Sequence, residues 1–177
     1  MKIRPLKYED AYGMLEWMSD KEVYTKYAYS FEKLELNEVL KFIEEANQLE
    51  NSTESKQIHY AIADDNDSYL GTISLKNIDA INLSAEYAIC LKRSAHGTGI
   101  AEEATDKLLE TAFSKLKLNR IYLNVFSDNT RAIKFYEKYG FHYEGEFREH
   151  IFVRGEWKSL KWYSLLKEEY WKSKKSN

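Results

Sequence analysis

The amino-acid sequence predicts one mixed α/β domain of the α+β kind, with about seven strands and about four helices. Three observations carry that reading. A chain of 177 residues with 44% hydrophobic content is the size of one domain and can bury a sizeable core. Segments with apolar residues at alternate positions are interspersed with segments in which they recur three and four residues apart. One proline and seven glycines leave no linker and no repeat, so residues 1–177 form one domain, with 172–177 expected to be a frayed tail.

Met1 to Leu6 is a short first strand. From Glu9 to about Met18, Ala11, Met14, Leu15 and Met18 fall at helical spacing; within Leu36 to Leu49, Val39, Leu40, Ile43 and Ala46 do the same. The polar stretch Glu50 to Gln57 is a loop. Ile58 to Ala63 and Leu70 to Lys76 are strands joined by the turn-rich Asp64 to Ser68, and Ala85 to Lys92 is a third. After the loop Arg93 to Gly99, a helix carries Ala101, Ala104, Leu108, Ala112 and Leu116 as an apolar stripe. Arg120 to Phe126 sets Ile121, Leu123 and Val125 against Tyr122, Asn124 and Phe126, a strand with two unlike faces. A helix from about Asn129 to Tyr139 ends at Gly140, and Phe141 to Phe152 pairs with Lys158 to Leu165 in a hairpin around Arg154 and Gly155.

A net charge of -3 argues against a nucleic-acid surface, which needs a basic patch. The basic residues Lys172, Lys174 and Lys175 fit a solvated terminus. No apolar run approaches the roughly 20 residues of a membrane helix, and MKIRPLKYED has no signal-peptide apolar region. Cys90 is the only cysteine, so no intramolecular disulfide forms, and the expected setting is a reducing cytoplasm. Cys90 lies in an apolar strand and reads as core rather than as a nucleophile. His59, His142 and His150 have no mutual metal spacing, so no metal is expected.

His96-Gly97-Thr98-Gly99-Ile100-Ala101 places glycines at a strand-to-helix turn, where uncovered amides and the helix dipole form an anion cradle. Downstream stand Asn124 and then Asn129-Thr130-Arg131-Ala132-Ile133-Lys134-Phe135-Tyr136, followed by Glu137-Lys138-Tyr139-Gly140-Phe141. Asn129, Ala132, Ile133 and Tyr136 share one helical face, and the Asn and Tyr lie about 10 Å apart along the axis, within the span of a long thiol arm. Taken alone, the same residues also fit an N-cap Asn and a core Tyr.

Together these segments resemble the GNAT superfamily of acetyl-CoA-dependent N-acetyltransferases, whose cofactor loop reads Gln/Arg-x-x-Gly-x-Gly/Ala and whose later helix carries Asn-x-x-Ala-x-x-x-Tyr-x-x-x-Gly-Phe. Ile3-Arg4-Pro5-Leu6 and Glu9-Asp10-Ala11 resemble the start of the branch holding ribosomal-protein N-terminal acetyltransferases and spermidine acetyltransferases. His96 departs from the family, standing where Gln or Arg is usual.

The resemblance implies a mostly antiparallel mixed sheet that splays at the cofactor site, and acetyl transfer from acetyl-CoA to a primary amine by direct attack on the thioester. It places the diphosphate on the amides of Gly97, Thr98, Gly99, Ile100 and Ala101, beside His96. The pantetheine then runs along Ile89, Cys90 and Leu91, with Asn124, Asn129, Ala132 and Phe135 completing the cofactor contacts. Tyr136 takes the position of the acid that protonates the departing sulfur, a backbone amide near Cys90 or Leu91 that of the oxyanion donor, and Glu86 that of the base, acting through water. From its residues alone, Glu86 equally fits a partner for a neighbouring Arg or Lys. A homodimer is implied as a possibility, and a catalytically silent acyl-CoA-binding regulatory module on the same fold is the alternative.

Acceptor recognition is expected from the early helices and the last hairpin. Trp17, Tyr24, Tyr27 and Tyr29 offer either an aromatic wall or core packing. Glu32, Glu35, Glu38, Glu44 and Glu45 fit a solvated helix face or an attraction for a polycation. Gly145-Glu146-Phe147-Arg148-Glu149-His150 and Arg154-Gly155-Glu156-Trp157 resemble the same branch, but Ser159 stands where it commonly has Asp. A small amine or polyamine, an amino sugar and a protein N-terminus all remain open.

Overall fold

The computed structural model describes residues 1–31, 33–50 and 56–175. In chain order the elements are β1 (Lys2–Pro5), α1 (Asp10–Ser19), α2 (Lys21–Tyr24), α3 (Leu36–Glu50), β2 (Ile58–Ala63), β3 (Tyr69–Asp79) and β4 (Ser84–Leu91). They continue with α4 (Ile100–Glu110), β5 (Arg120–Phe126), α5 (Thr130–Tyr139), β6 (His142–Val153), β7 (Glu156–Leu166) and α6 (Lys167–Lys175). The strands form one sheet in the order β1-β2-β3-β4-β5-β7-β6. Every neighbouring pair is antiparallel except β4 and β5, so the sheet has the expected mixed, mostly antiparallel character.

Apolar side chains cover both faces of this sheet. Ile121 and Leu123 of β5, with Ile73 and Leu75 of β3, pack under Leu108 of α4, Ile133 of α5 and Tyr170 of α6. On the other face Ala61 and Tyr69 meet Met14 and Trp17 of α1 and Val39 and Ile43 of α3. Burying each large side chain contributes about 1.5–3 kcal/mol, which fixes strand register because a one-residue slip would turn the whole apolar set outward.

Three features differ from expectation. Leu116 is exposed although its spacing continues the apolar stripe of α4. A π turn at Thr111–Lys115, in which the Leu116 amide donates to the Thr111 carbonyl five residues back, rotates the register so that Phe113 and Leu118 face the core instead. Residues 172–175 of the expected tail are helical: the buried Tyr170 packs its ring 5.2 Å from Phe113, and Lys174 pairs with Asp106 at 2.7 Å, which anchors α6. Residues 176 and 177, like residues 51–55 of the expected loop and Glu32, lie outside the described residues. The four-residue α2 is too short to show a periodicity, so together with α6 it raises the helices to six among the described residues.

The opening motif acts structurally. The Arg4 guanidinium donates to both carboxylate oxygens of Asp10 at 2.7 and 2.9 Å and to Asp67 at 2.6 Å, fastening β1 to the start of α1. Asp10 is 3% exposed, so its charge is compensated almost wholly inside the protein. Replacing it by Asn is expected to lower stability by roughly 3 kcal/mol, measured as the urea midpoint; an unchanged midpoint would show that the pair does not hold the element.

On the α3 face of the sheet, His59 is buried beneath Phe42, with Nδ1 2.7 Å from the Ser74 hydroxyl. Burial, aided by the charge of Lys76, lowers its pKa to about 4. The unfolded chain, titrating near 6.5, therefore binds protons more readily, and stability falls as pH drops from about 6.5 to 4, by up to about 3 kcal/mol. In His59→Gln that part of the pH-stability profile is expected to flatten, measured by urea unfolding at several pH values.

Candidate active site

The site begins where two strands part. β4 and β5 pair in parallel only at Ser84 with Arg120, Ala85 with Ile121 and Glu86 with Tyr122. Beyond that point β4 runs on to Leu91 against β3, and β5 runs on to Phe126 against β7. The Lys92 amide donates to the Leu70 carbonyl at 2.9 Å. By strand alternation the backbone of Cys90 also faces β3, whereas the backbones of Ile89 and Leu91 face the gap. A cleft of about 430 Å³ opens there, lined by Ile89 and Leu91 on one side and Asn124 and Val125 on the other.

One end of the cleft is the glycine loop. Gly97 has φ +75° and Gly99 φ +84°, conformations in which a side chain would be strained, although a Cβ at either position would meet nothing within 4 Å. The glycines take this path without strain and turn the chain directly into α4, and among the described residues no backbone carbonyl accepts from the amides of residues 97 to 101. Uncovered amides at a helix N-terminus suit a diphosphate. His96, Gly97, Gly99 and Ala101 line the cleft. The side chains of Thr98 and Ile100 serve the fold: Thr98 donates to the Ala95 carbonyl at 2.8 Å, and Ile100 packs against the core.

The opposite wall is α5. Asn129 caps it by accepting from the Ala132 amide at 3.3 Å, and Ala132, Phe135 and Tyr136 continue the wall toward the splay. The Tyr136 ring sits edge-on to Tyr87 at 6.1 Å and to Phe141 at 5.8 Å, while its hydroxyl makes no hydrogen bond among the described residues. Burial raises its pKa, with Cys90 reinforcing the effect, so it is a protonated donor at neutral pH.

Several residues stand apart from their expected places. Cys90 does not line the cleft, and burial pushes its thiol up to about 11, which disfavours a nucleophilic thiolate. Of the two backbones expected near an oxyanion, that of Leu91 faces the gap and that of Cys90 faces β3. Glu86 lies at the vertex of the splay, outside the cleft lining. It pairs with Lys76 at 2.9 Å, accepts from Asn77 at 2.8 Å, and meets Asn124, which does line the cleft, at 3.4 Å. Trp17 is core, Tyr29 is exposed, and Tyr27 is the aromatic that reaches the cleft. Glu35, Glu38, Glu44 and Glu45 are exposed on α3 or just before it.

Arg131 was not anticipated as a site residue. It lines the cleft from α5 and donates to His96 Nδ1 at 3.0 Å. Burial lowers the pKa of His96, and the Arg131 charge lowers it further, so the imidazole is neutral and the cation at the loop is Arg131. Only its position inside the Asn-to-Tyr motif pointed to it, and nothing in the sequence linked it to residue 96. The segment before residue 30 contributes Val23, Lys26 and Tyr27 to the cleft as well.

Residues 1–142 match the family model of the acetyltransferase (GNAT) domain. An uncharacterized N-acetyltransferase of Bacillus licheniformis is 33% identical over 171 residues, covering 96% of this chain and 94% of that relative. Spermidine N(1)-acetyltransferase of Vibrio cholerae is 30% identical over 122 residues, 66% of this chain and 70% of that protein. The solved structure of spermidine N-acetyltransferase from Vibrio cholerae in complex with CoA and spermine superposes with a TM-score of 0.85, covering 96% of this chain and 97% of that one. At 22% identity that is a likeness of fold.

With Arg131 as the cation at the loop, Arg131→Ala is expected to weaken CoA binding about tenfold at low salt, measured by calorimetry. The gap between native chain and variant should narrow as salt screens the charge. Equal affinities at low salt would remove Arg131 from the anion site.

Proposed function

This chain belongs to the acetyltransferase (GNAT) domain family, and from that premise we propose how its own residues carry acetyl from acetyl-CoA to a primary amine. One observation carries the reading: the loop residues Gly97, Gly99 and Ala101, whose amides meet no backbone carbonyl among the described residues, the gap between β4 and β5, and Tyr136 line a single cleft. The loop amides and Arg131 hold the diphosphate. The pantetheine runs along the gap-facing backbone of Ile89 and Leu91 in the place a missing strand would take, and Asn124, Asn129, Ala132 and Phe135 flank it.

The acceptor arrives mainly as an ammonium, whose reference pKa is about 10.4, and must lose a proton before it attacks the thioester. Glu86 takes that proton. Both of its oxygens are already engaged, so the transfer runs through water beside Asn124, the residue that connects the carboxylate to the cleft. The Leu91 amide donates to the oxyanion as the carbonyl carbon becomes tetrahedral. The Tyr136 hydroxyl, protonated and without a hydrogen-bond partner among the described residues, delivers its proton to the sulfur as the C–S bond breaks.

Among acceptors, the Vibrio cholerae relative named for spermidine N(1)-acetyl transfer supports a polyamine as the first to test. The cleft carries Glu22 on its outer wall, a carboxylate suited to a second ammonium group. Among the described residues no helix is long and apolar enough to cross a membrane. The half-buried, non-nucleophilic Cys90 fits the cytoplasm that we infer as the setting.

A thiol-release assay with acetyl-CoA and a panel of spermidine, glucosamine and short peptides tests the reading. Amine-dependent CoA release is expected, and tight CoA binding without release across the panel would point to the silent module. Tyr136→Phe is expected to lower kcat by about 10²–10³ while leaving the KM for acetyl-CoA nearly unchanged. Unchanged turnover with chemistry rate-limiting would remove Tyr136 from the mechanism.

A further inference from the structure

The turn between β6 and β7 consists of Arg154 and Gly155, with φ of +52° and +80°. Two consecutive left-handed residues are what a tight hairpin requires, and Asn or Gly would occupy the first position without the strain, about 1–2 kcal/mol, that an arginine meets there. The side chain at this strained position is engaged across the molecule. Its guanidinium donates to the carbonyls of Tyr24 at 2.8 Å, Tyr27 at 2.9 and 3.1 Å, and Tyr29 at 3.4 Å, and lies 5.5 Å from the centre of the Tyr24 ring. These carbonyls lie at and beyond the C-terminal end of α2, where backbone acceptors outnumber donors and a cation is favoured.

The segment so gripped forms part of the cleft. Val23, Lys26 and Tyr27 line it, and the Tyr27 hydroxyl donates at 3.1 Å to the carbonyl of Ile89, one of the two backbones facing the gap. A route of contacts therefore runs from the hairpin turn through the backbone of residues 24–29 and the Tyr27 side chain to the stretch of β4 that faces the gap. At the near end of the segment Arg93 holds Asp20 at 3.1 Å, and at the far end Phe31 packs edge-on to Trp17 at 5.0 Å. Between those anchors Val23 is buried in the core, and beyond it the backbone carbonyls of residues 24, 27 and 29 are held from outside the segment by Arg154.

We propose that Arg154 is a positioning residue for the acceptor amine: it latches residues 24–29 to the β6–β7 turn and so sets the wall against which the acceptor is held beside the thioester. The inference rests on the acetyl-transfer reading. It assigns Arg154 no contact with the reacting atoms; its effect passes through the backbone of the segment and through Tyr27. A lysine at 154 carries the charge but not the planar fork that reaches several carbonyls at once, so it restores only part of the effect.

The test compares the full native chain with Arg154→Ala and Arg154→Lys, using acetyl-CoA and whichever of spermidine, glucosamine or a serine-initiated peptide the native chain acetylates. Expected for Arg154→Ala is a rise of about tenfold or more in the KM for the amine with the KM for acetyl-CoA within about twofold, and for Arg154→Lys an intermediate value. Hydrogen exchange at the amides of residues 25–31 is expected to quicken in Arg154→Ala and to stay near native in strands β2 and β3. An unchanged amine KM and unchanged exchange overturn the latch, and so does an equal rise in both KM values with a lowered thermal midpoint, the mark of general loosening. If the native chain acetylates none of the amines, the functional reading fails by itself, while faster exchange confined to residues 25–31 still supports the latch.

Discussion

The parallel contact between β4 and β5, ending at Glu86 and Tyr122, is the constraint on which the rest of the molecule depends. Two strands that stay paired satisfy each other's amides and carbonyls; two that part leave those groups in search of other partners. Each strand is held on its far side, β4 by β3 and β5 by β7, so neither can bend back to close the gap. The cores on both faces keep the divergence in place, since Leu123 and Val125 of β5 and Tyr87 and Leu91 of β4 remain packed beyond the last paired residues. The cleft is therefore built from ordinary sheet chemistry interrupted, and the acetyl donor of this family suits it because an amide-bearing arm can act as the absent strand.

The remaining parts are arranged around that gap. At one end, positive φ at Gly97 and Gly99 turns the chain into α4 with its first amides unclaimed among the described residues. On the flank, the Asn129 cap fixes the start of α5, which directs Ala132, Phe135 and Tyr136 toward the same space. Beside the loop, the neutral His96 ring accepts from Arg131, whose permanent charge comes from the neighbouring helix. Tyr136 and Glu86 occupy unlike environments, the first held protonated by burial and the second bonded to Lys76 and Asn77 at the vertex.

Much of this was legible in the chain, and the misses have physical causes. Strand alternation at Ile121, Leu123 and Val125 and helical spacing at Met14 and Met18 reflect burial on one side of an element, which any amphipathic element must display. Leu116 misled because a π turn changes the register without any mark in the residue types. Cys90 followed the sequence of its neighbours in projecting along β4, but its backbone turns toward β3, an alternation whose phase depends on which partner strand is present. Arg131 and Arg154 stood inside recognisable motifs, but their partners could not be read from them, since the groups they reach lie 35 and about 130 residues away in the chain.

The sequence by itself determined the order of the seven strands and of the four longer helices between them, the glycine turn, the helix with Asn129 and Tyr136 on one face, and through these the family and its cofactor, because each depends on local conformation or on spacing within a single element. Tertiary structure alone decided where β4 and β5 part, that Glu86 stands at the vertex with Lys76, and that one hairpin turn reaches the carbonyls beyond α2. Those are meetings between distant segments, and contact between them is set by how strands pair and layers pack, which no local pattern of residues encodes.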